Sequence, residues 1–182
     1  MSDPTAKVVT MTNTYNITRR FRTIVKRATP ADIATAALWY VDAEKVAREI
    51  AEDVEVGASV IAAFSPRQRW ASNVAQARAF MRGEIVRTLG NNIRMAEAAK
   101  VKGFDALNGP KTNAFARAIA GDDNAVVIDV WMMRAAGFDH DSPNLTEYRM
   151  TAKAVNNIAR ELSITPRTAQ ALIWILKRGA AE

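Results

Sequence analysis

Four prolines stand where a helix can begin, and this constrains the fold more than any other feature of the chain. Thr29-Pro30, Ser65-Pro66 and Thr165-Pro166 each set a hydroxyl residue before a proline, and Gly109-Pro110 sets a glycine there. A Ser or Thr oxygen accepts from the free amides of a first helical turn. Proline lacks the amide such a turn would leave unpaired, and its φ is already set for a helix. Alanine is abundant and glycine scarce, at 8 of 182 residues, which favours helices over strands. Ile33, Ala37, Tyr40, Ala43, Ala47 and Ile50 recur in steps of three and four. Tyr148, Ala152, Val155, Ala159 and Leu162 repeat the pattern. These spacings predict an all-α protein of roughly eight to ten short helices.

The boundaries follow from the breakers. Residues 1–16 are rich in Thr and Asn, lack helical period and read as an N-terminal arm; residues 17–182 read as one domain. Gly57 is expected to end the helix that begins at Pro30, and Val60–Phe64 to be a buried helical run. Ser65-Pro66 is expected to open a helix through Trp70 and Met81. Gly90-Asn91-Asn92 reads as a break, and Gly103 as the stop of a helix ending near Lys102. Phe104 to Leu107 forms at most one turn. Asn108-Gly109 is a tight-turn pair, after which Pro110 restarts a helix. Further helices are expected over residues 129–136 and after Thr165-Pro166.

Composition narrows the chemistry. The chain has no cysteine, which excludes disulfides, thiolate zinc sites and a cysteine-held iron–sulfur cluster. His140 is the only histidine, too few for a histidine-based metal site or catalytic triad. No metal and no cofactor are expected. No apolar run approaches the roughly 20 residues that span a bilayer, and the N-terminus lacks a signal-peptide core. A cytoplasmic, nucleoid-associated monomer with no membrane contact is expected. Net charge is +6 and the pI about 9.9. That balance suits a polyanion binder, or it serves solubility alone. Clustering favours the first: Arg19, Arg20, Arg22, Lys26 and Arg27 form one basic stretch, Arg67 and Arg69 bracket a loop, and Lys177 and Arg178 lie near the C-terminus.

One pair of residues carries chemistry by its placement. Lys111 follows the Gly-Pro turn and so lies in the first turn of a helix. Asp129 lies 18 positions on, after the apolar run Ala125–Ile128 and before a helical Val130–Arg134. A lysine beside a turn is ordinarily a surface residue. An acid closing a buried run is either an N-cap or a reactive group, and one residue can be both. An amine and a carboxylate converging on one carbon can supply nucleophilic attack and electrostatic support. The amine must then be partly neutral, which burial achieves; Phe115, Trp131 and Met132 are the neighbours expected to provide it. Trp39, Trp70 and Trp174 lie on apolar stripes and are expected in the core, whereas Trp131, beside Asp129, is the best pocket candidate. Asn73 follows Trp70 by three residues and can share its face, which leaves two roles, a polar pocket residue or, the more usual case, a solvated surface one.

Residues 104–137 resemble the core of the helix-hairpin-helix DNA glycosylases, the endonuclease III and 8-oxoguanine glycosylase superfamily. A looser similarity runs in order over most of residues 58–178. Members carry an L-P-G-V-G-x-K-T-A hairpin, then an apolar run and V-D-T-H-x-x-R at the same lysine-to-aspartate interval. Gly109, Lys111 and Thr112 match the second hairpin glycine, the catalytic lysine and the threonine after it. Asp129 matches the catalytic aspartate and Arg134 the arginine five residues later. Phe64-Ser65-Pro66-Arg67-Gln68 resembles the L-L-S-x-Q segment, whose glutamine fills the gap left by a flipped base. Gln170 to Trp174 is similar to C-terminal helices of small phage-encoded glycosylase-like proteins. The chain departs from the pattern at Leu107, which stands at the first hairpin glycine, and at Trp131, where many members have histidine.

The resemblance implies a two-lobed helical fold with a helix-hairpin-helix at about residues 104–120, acting on double-stranded DNA. Lys111 and Asp129 would be catalytic. Arg67, Gln68, Arg69, Gly109, Thr112 and Arg134 would contact DNA, with Gln68 filling the vacated stack. Trp131 and Phe115 would line the base pocket. The activity implied is base excision with a lysine-dependent lyase step. Two alternatives stay open: a thymine-hypermodifying enzyme on the same scaffold, and a non-catalytic DNA-binding protein, the latter suggested by the single hairpin glycine.

Overall fold

Thr29 accepts a hydrogen bond from the Asp32 amide while the Asp32 carboxylate accepts from the Thr29 amide, and this closed box starts α2 (Pro30–Ile50). Thr165 likewise caps α9 (Pro166–Arg178) by accepting from the Thr168 amide. The computed structural model describes residues 12–179. Among them are α1 (Thr14–Val25), α3 (Val54–Phe64), α4 (Trp70–Met81) and α5 (Gly90–Lys102). A single 3-10 turn, Gly103–Ala106, leads to α6 (Pro110–Ile119), α7 (Val130–Ala136) and α8 (Leu145–Leu162). The described residues contain no strand, so the fold is all-α. None of these helices is long and apolar enough to cross a membrane. Residues 1–11 of the expected arm lie outside the described residues. Asn13 accepts from the Asn16 amide, and α1 begins at Thr14, inside the stretch read as arm.

Three expected boundaries move, each for a physical reason. Gly57 does not end α2, which stops at Ile50; it lies inside α3 and is buried. A Cβ built there would overlap the Ala47 carbonyl oxygen, so this glycine lets α3 press directly on α2. Ser65 does not open a helix. It closes α3, its hydroxyl donating to the Ala62 carbonyl at 2.8 Å, and Pro66 then stops the helix because it has no amide to donate. The next helix waits until Trp70. Gly90, Asn91 and Asn92 form the first turn of α5 rather than a break, and the irregular stretch precedes them.

The helices form two groups. One surrounds α3, buried from Gly57 to Phe64, with α2, α4, α5 and α6 against it. The other is α1, α7, α8 and α9. Helix α2 belongs to both, packing on α3, α4 and α6 and also on α9. Arg20 and Arg22 of the basic stretch tie the second group together. Arg22 forms a two-pronged pair with Glu161 of α8, and Arg20 donates to the Ala136 carbonyl. The Arg20 guanidinium occupies the space a Cβ would take on Gly137, whose φ of 88° is also easy only for glycine.

Two side chains hold the segments before Lys111 and Asp129 in place. Leu107, at the position of the absent hairpin glycine, is packed into the core. The connection from the 3-10 turn to α6 is therefore fastened by an apolar anchor. The Tyr148 hydroxyl on α8 donates to the Val126 carbonyl at 2.7 Å and lies 3.3 Å from that of Pro110. One side chain thus meets both the start of α6 and the run leading to Asp129.

Gly57→Ala is expected to lower stability by about 1–3 kcal/mol in urea unfolding, because overlap with backbone outweighs alanine's better helix propensity. Tyr148 offers a pH test. Its ordinary pKa is 10.0, and burial pushes it up to about 12 in the folded protein. Between those values the unfolded chain binds fewer protons than the folded one. The stability contributed is therefore full below pH 10 and is lost as pH rises towards about 12. Unfolding measured across that window should fall less steeply in Tyr148→Phe than in the parent protein.

Candidate functional site

A cleft of about 270 Å³ opens where the two helix groups meet. Its walls are aromatic. Trp39 of α2 lies at ring-centroid distances of 5.3 Å from Trp70 of α4, 6.3 Å from Phe115 of α6 and 6.3 Å from Trp174 of α9. Trp70 and Phe115 are 6.5 Å apart. These separations are those of favourable tilted and edge contacts, so the rings support one another. Trp131 also lines the cleft. The sequence singles out Trp131 as a pocket residue; the structure puts all four tryptophans there.

Asp129 is both a cap and a cleft residue. It ends the buried run Ala125–Ile128 and begins α7, with Oδ1 accepting from the Met132 amide at 3.0 Å. Its Oδ2 accepts from the Trp174 indole N–H at 2.9 Å. Both oxygens are thereby oriented, and each retains a second lone pair. Tyr40 stands behind them. Burial pushes its hydroxyl well above the ordinary tyrosine range, and the Asp129 charge acts in the same direction. The hydroxyl stays protonated and donates to Gln170 Oε1 at 2.8 Å.

Lys111 is the second residue of α6 and lines the same cleft, so the pair converges. The expected burial of the amine is not found. Lys111 is exposed, and Met132 is sealed in the core away from it; Phe115 and Trp131 do line the cleft. Among the described residues Lys111 is in no ion pair, with Asp129 or with any other acid.

Arg67, Gln68 and Arg69 all reach the cleft from the loop between α3 and α4. Arg67 has φ 61°, a left-handed conformation that costs a non-glycine residue about 1–2 kcal/mol. Gln68 is braced by the Ser72 hydroxyl, which donates to its Oε1 at 3.1 Å. The other expected DNA contacts lie elsewhere. Gly109 starts α6 at an ordinary φ of −98°, and a Cβ there would meet only Thr112 Oγ1, at 3.6 Å. Its backbone could be that of any residue, and it faces a second, shallower groove. Thr112 does not line the cleft. Arg134 points away, paired with Asp141 at 3.2 Å and lying 5.1 Å from the centre of the Trp131 ring. The basic residues of α1 do not reach the cleft either.

Several contributors were not singled out as site residues in the sequence. Asn73 takes the second of its two expected roles, in the pocket: it is 2% exposed, lines the cleft, and its Oδ1 has no partner among the described residues. A buried acceptor left unpaired costs about 1–3 kcal/mol. Its position three residues after Trp70 was the available signal, since that spacing shares a helix face. Gln170 is 4% exposed and Arg178 stacks 4.7 Å from the centre of the Trp174 ring; both line the cleft from α9. Among the described residues no group of three or more His, Asp or Glu side chains is placed to hold a metal ion.

Fold and cleft define an all-α protein with an aromatic, basic-rimmed site built around a lysine and an aspartate. The chain belongs to a family of unknown function, DUF7178, which it matches over residues 3–181. No curated protein and no solved structure matches it.

Trp174→Phe keeps a ring but removes the donor to Asp129. It is expected to lower stability by about 1.5–3 kcal/mol, the range for a hydrogen bond to a charged group, measured by chemical unfolding.

Proposed function

We propose that this protein is a DNA base-excision glycosylase with a lysine-dependent lyase step, acting on a base flipped out of double-stranded DNA. The observation that carries the reading is the meeting of Lys111 and Asp129 on one cleft walled by aromatic rings. A base within a duplex cannot be reached, so it must rotate out, at a cost of a few kcal/mol. The tryptophan faces offer the stacking it loses. Arg67, Gln68 and Arg69 stand at the same cleft, where they can meet the gapped stack and its phosphates.

The Lys111 amine would attack C1′ and form a C–N bond. The glycosidic bond breaks with its electron pair going to the base, which leaves and takes up a proton. Asp129, held by the Met132 amide and the Trp174 indole, stabilises positive charge developing on the sugar. Such preorganised support is worth on the order of 3 kcal/mol. Opening of the sugar ring leaves a Schiff base at Lys111. Loss of a C2′ proton then expels the 3′ phosphate by β-elimination. DNA lying over the cleft would supply the dry surroundings the exposed amine otherwise lacks.

Borohydride should trap a covalent protein–DNA adduct on a duplex containing an abasic site. Lys111→Ala should abolish it, and Asp129→Asn should slow base release about 10²–10³-fold. An adduct that persists in Lys111→Ala overturns the assignment of the nucleophile. Nucleoside mass spectrometry separates the remaining possibilities. A released base supports excision and an altered nucleoside indicates base modification. Unchanged DNA that still binds indicates a binding module, as the core-packed Leu107 in place of a hairpin glycine would favour.

A further inference from the structure

Two carboxamides reach the cleft with unused hydrogen-bonding capacity. Asn73 on α4 is 2% exposed and its Oδ1 has no partner among the described residues. Gln170 on α9 is 4% exposed. Its Oε1 accepts from the Tyr40 hydroxyl at 2.8 Å, which fixes the carboxamide and leaves the Nε2 donor unused by that bond. Between them stands α2, whose Trp39 ring touches Trp70 on one side and Trp174 on the other. Neither carboxamide contributes to the chemistry assigned to Lys111 and Asp129. A buried acceptor without a partner is what a site built to receive an N–H looks like when empty.

We infer that Asn73 and Gln170 read the pairing edge of a nucleobase stacked among the cleft tryptophans, Asn73 accepting from a ring or amino N–H and Gln170 donating to a ring nitrogen or carbonyl. This inference rests on the flipped-base reading and assigns its specificity to residues apart from the lysine and aspartate. Every natural base has at least one donor and one acceptor on that edge, so the two carboxamides select by spacing and order. A methyl group on the ring nitrogen of the pairing edge removes that N–H and crowds the edge against the two carboxamides. A change on its opposite edge leaves these contacts alone.

The test uses the full-length protein and its own tryptophan fluorescence, since Trp39, Trp70 and Trp174 all line the cleft. Thymidine, deoxyguanosine, deoxyadenosine and deoxycytidine are titrated separately. Saturable quenching is expected, with one type of base preferred. N3-methylthymidine and N1-methyldeoxyguanosine should bind about tenfold or more weakly than their parents, as expected when a buried polar group is left without its partner. Asn73→Leu and Gln170→Met, checked for folding by circular dichroism, should erase that difference. Equal binding of methylated and unmethylated nucleosides, or no saturable quenching by any, overturns the inference. The methylated nucleosides probe the unaltered protein, so the result stands even if a variant fails to fold. Trapping on an abasic site, which has no base to read, reports separately on Lys111. Trapping with edge-blind nucleoside binding sinks the specificity pair alone. Edge-sensitive binding without trapping sinks the lysine-dependent lyase step alone.

Discussion

The Asp129 carboxylate joins three parts of the molecule. Through Oδ1 it starts α7, and through Oδ2 it fixes the Trp174 ring on α9. Trp174 in turn lies against Trp39 on α2, the helix shared by both groups. The aromatic wall is therefore referenced to one carboxylate. An acid at the end of a buried run would be costly alone, and here two donors compensate it while leaving it open to the cleft. The structural role and the proposed chemical one coincide in the same atoms. Loss of the carboxylate should disturb the cleft wall as well as any reaction, which is why the asparagine variant, still able to cap, is the more informative change.

Local signals in the sequence were strong where the physics is local. Thr29 and Thr165 cap the helices their prolines begin, and Asp129 caps α7, because capping involves only residues within three or four positions. Ser65-Pro66 has the same pattern but the opposite effect. Whether a proline starts one helix or ends the previous one depends on what precedes it, and the buried α3 runs up to Ser65. Gly57 shows the same limit. As a breaker it would have ended a helix, yet its role is to let α3 approach Ala47, a contact set by tertiary packing.

The cleft was legible in part for a related reason. Lys111 and Asp129 are close enough in sequence for their spacing to be meaningful, and the loop carrying Arg67, Gln68 and Arg69 could be matched as a unit. Trp39, Trp70 and Trp174 are far apart along the chain, and each lies on a stripe that also fits a core. Only the arrangement of α2 between α4 and α9 turns three separate stripes into one wall. For Asn73 the surface role outweighs the pocket role in the sequence, because a polar residue beside a tryptophan is usually solvated, and its burial depends on that same arrangement. Gly109, Thr112 and Arg134 sit close to Lys111 and Asp129 in sequence but do not line the cleft.

Helix α2 has a mechanical consequence. It runs unbroken for 21 residues, about 30 Å, and is clasped by both helix groups. A continuous helix resists bending, so it acts as a girder that fixes the separation of the two halves. Hinge closure around a ligand, common in proteins with a cleft between lobes, would have to bend or break this helix. The gap is set before anything enters it. Adaptation is left to the short loop bearing Arg67, whose backbone is already strained. A ligand entering such a site would be selected by fit to a standing backbone shape, with little backbone entropy left to lose on binding.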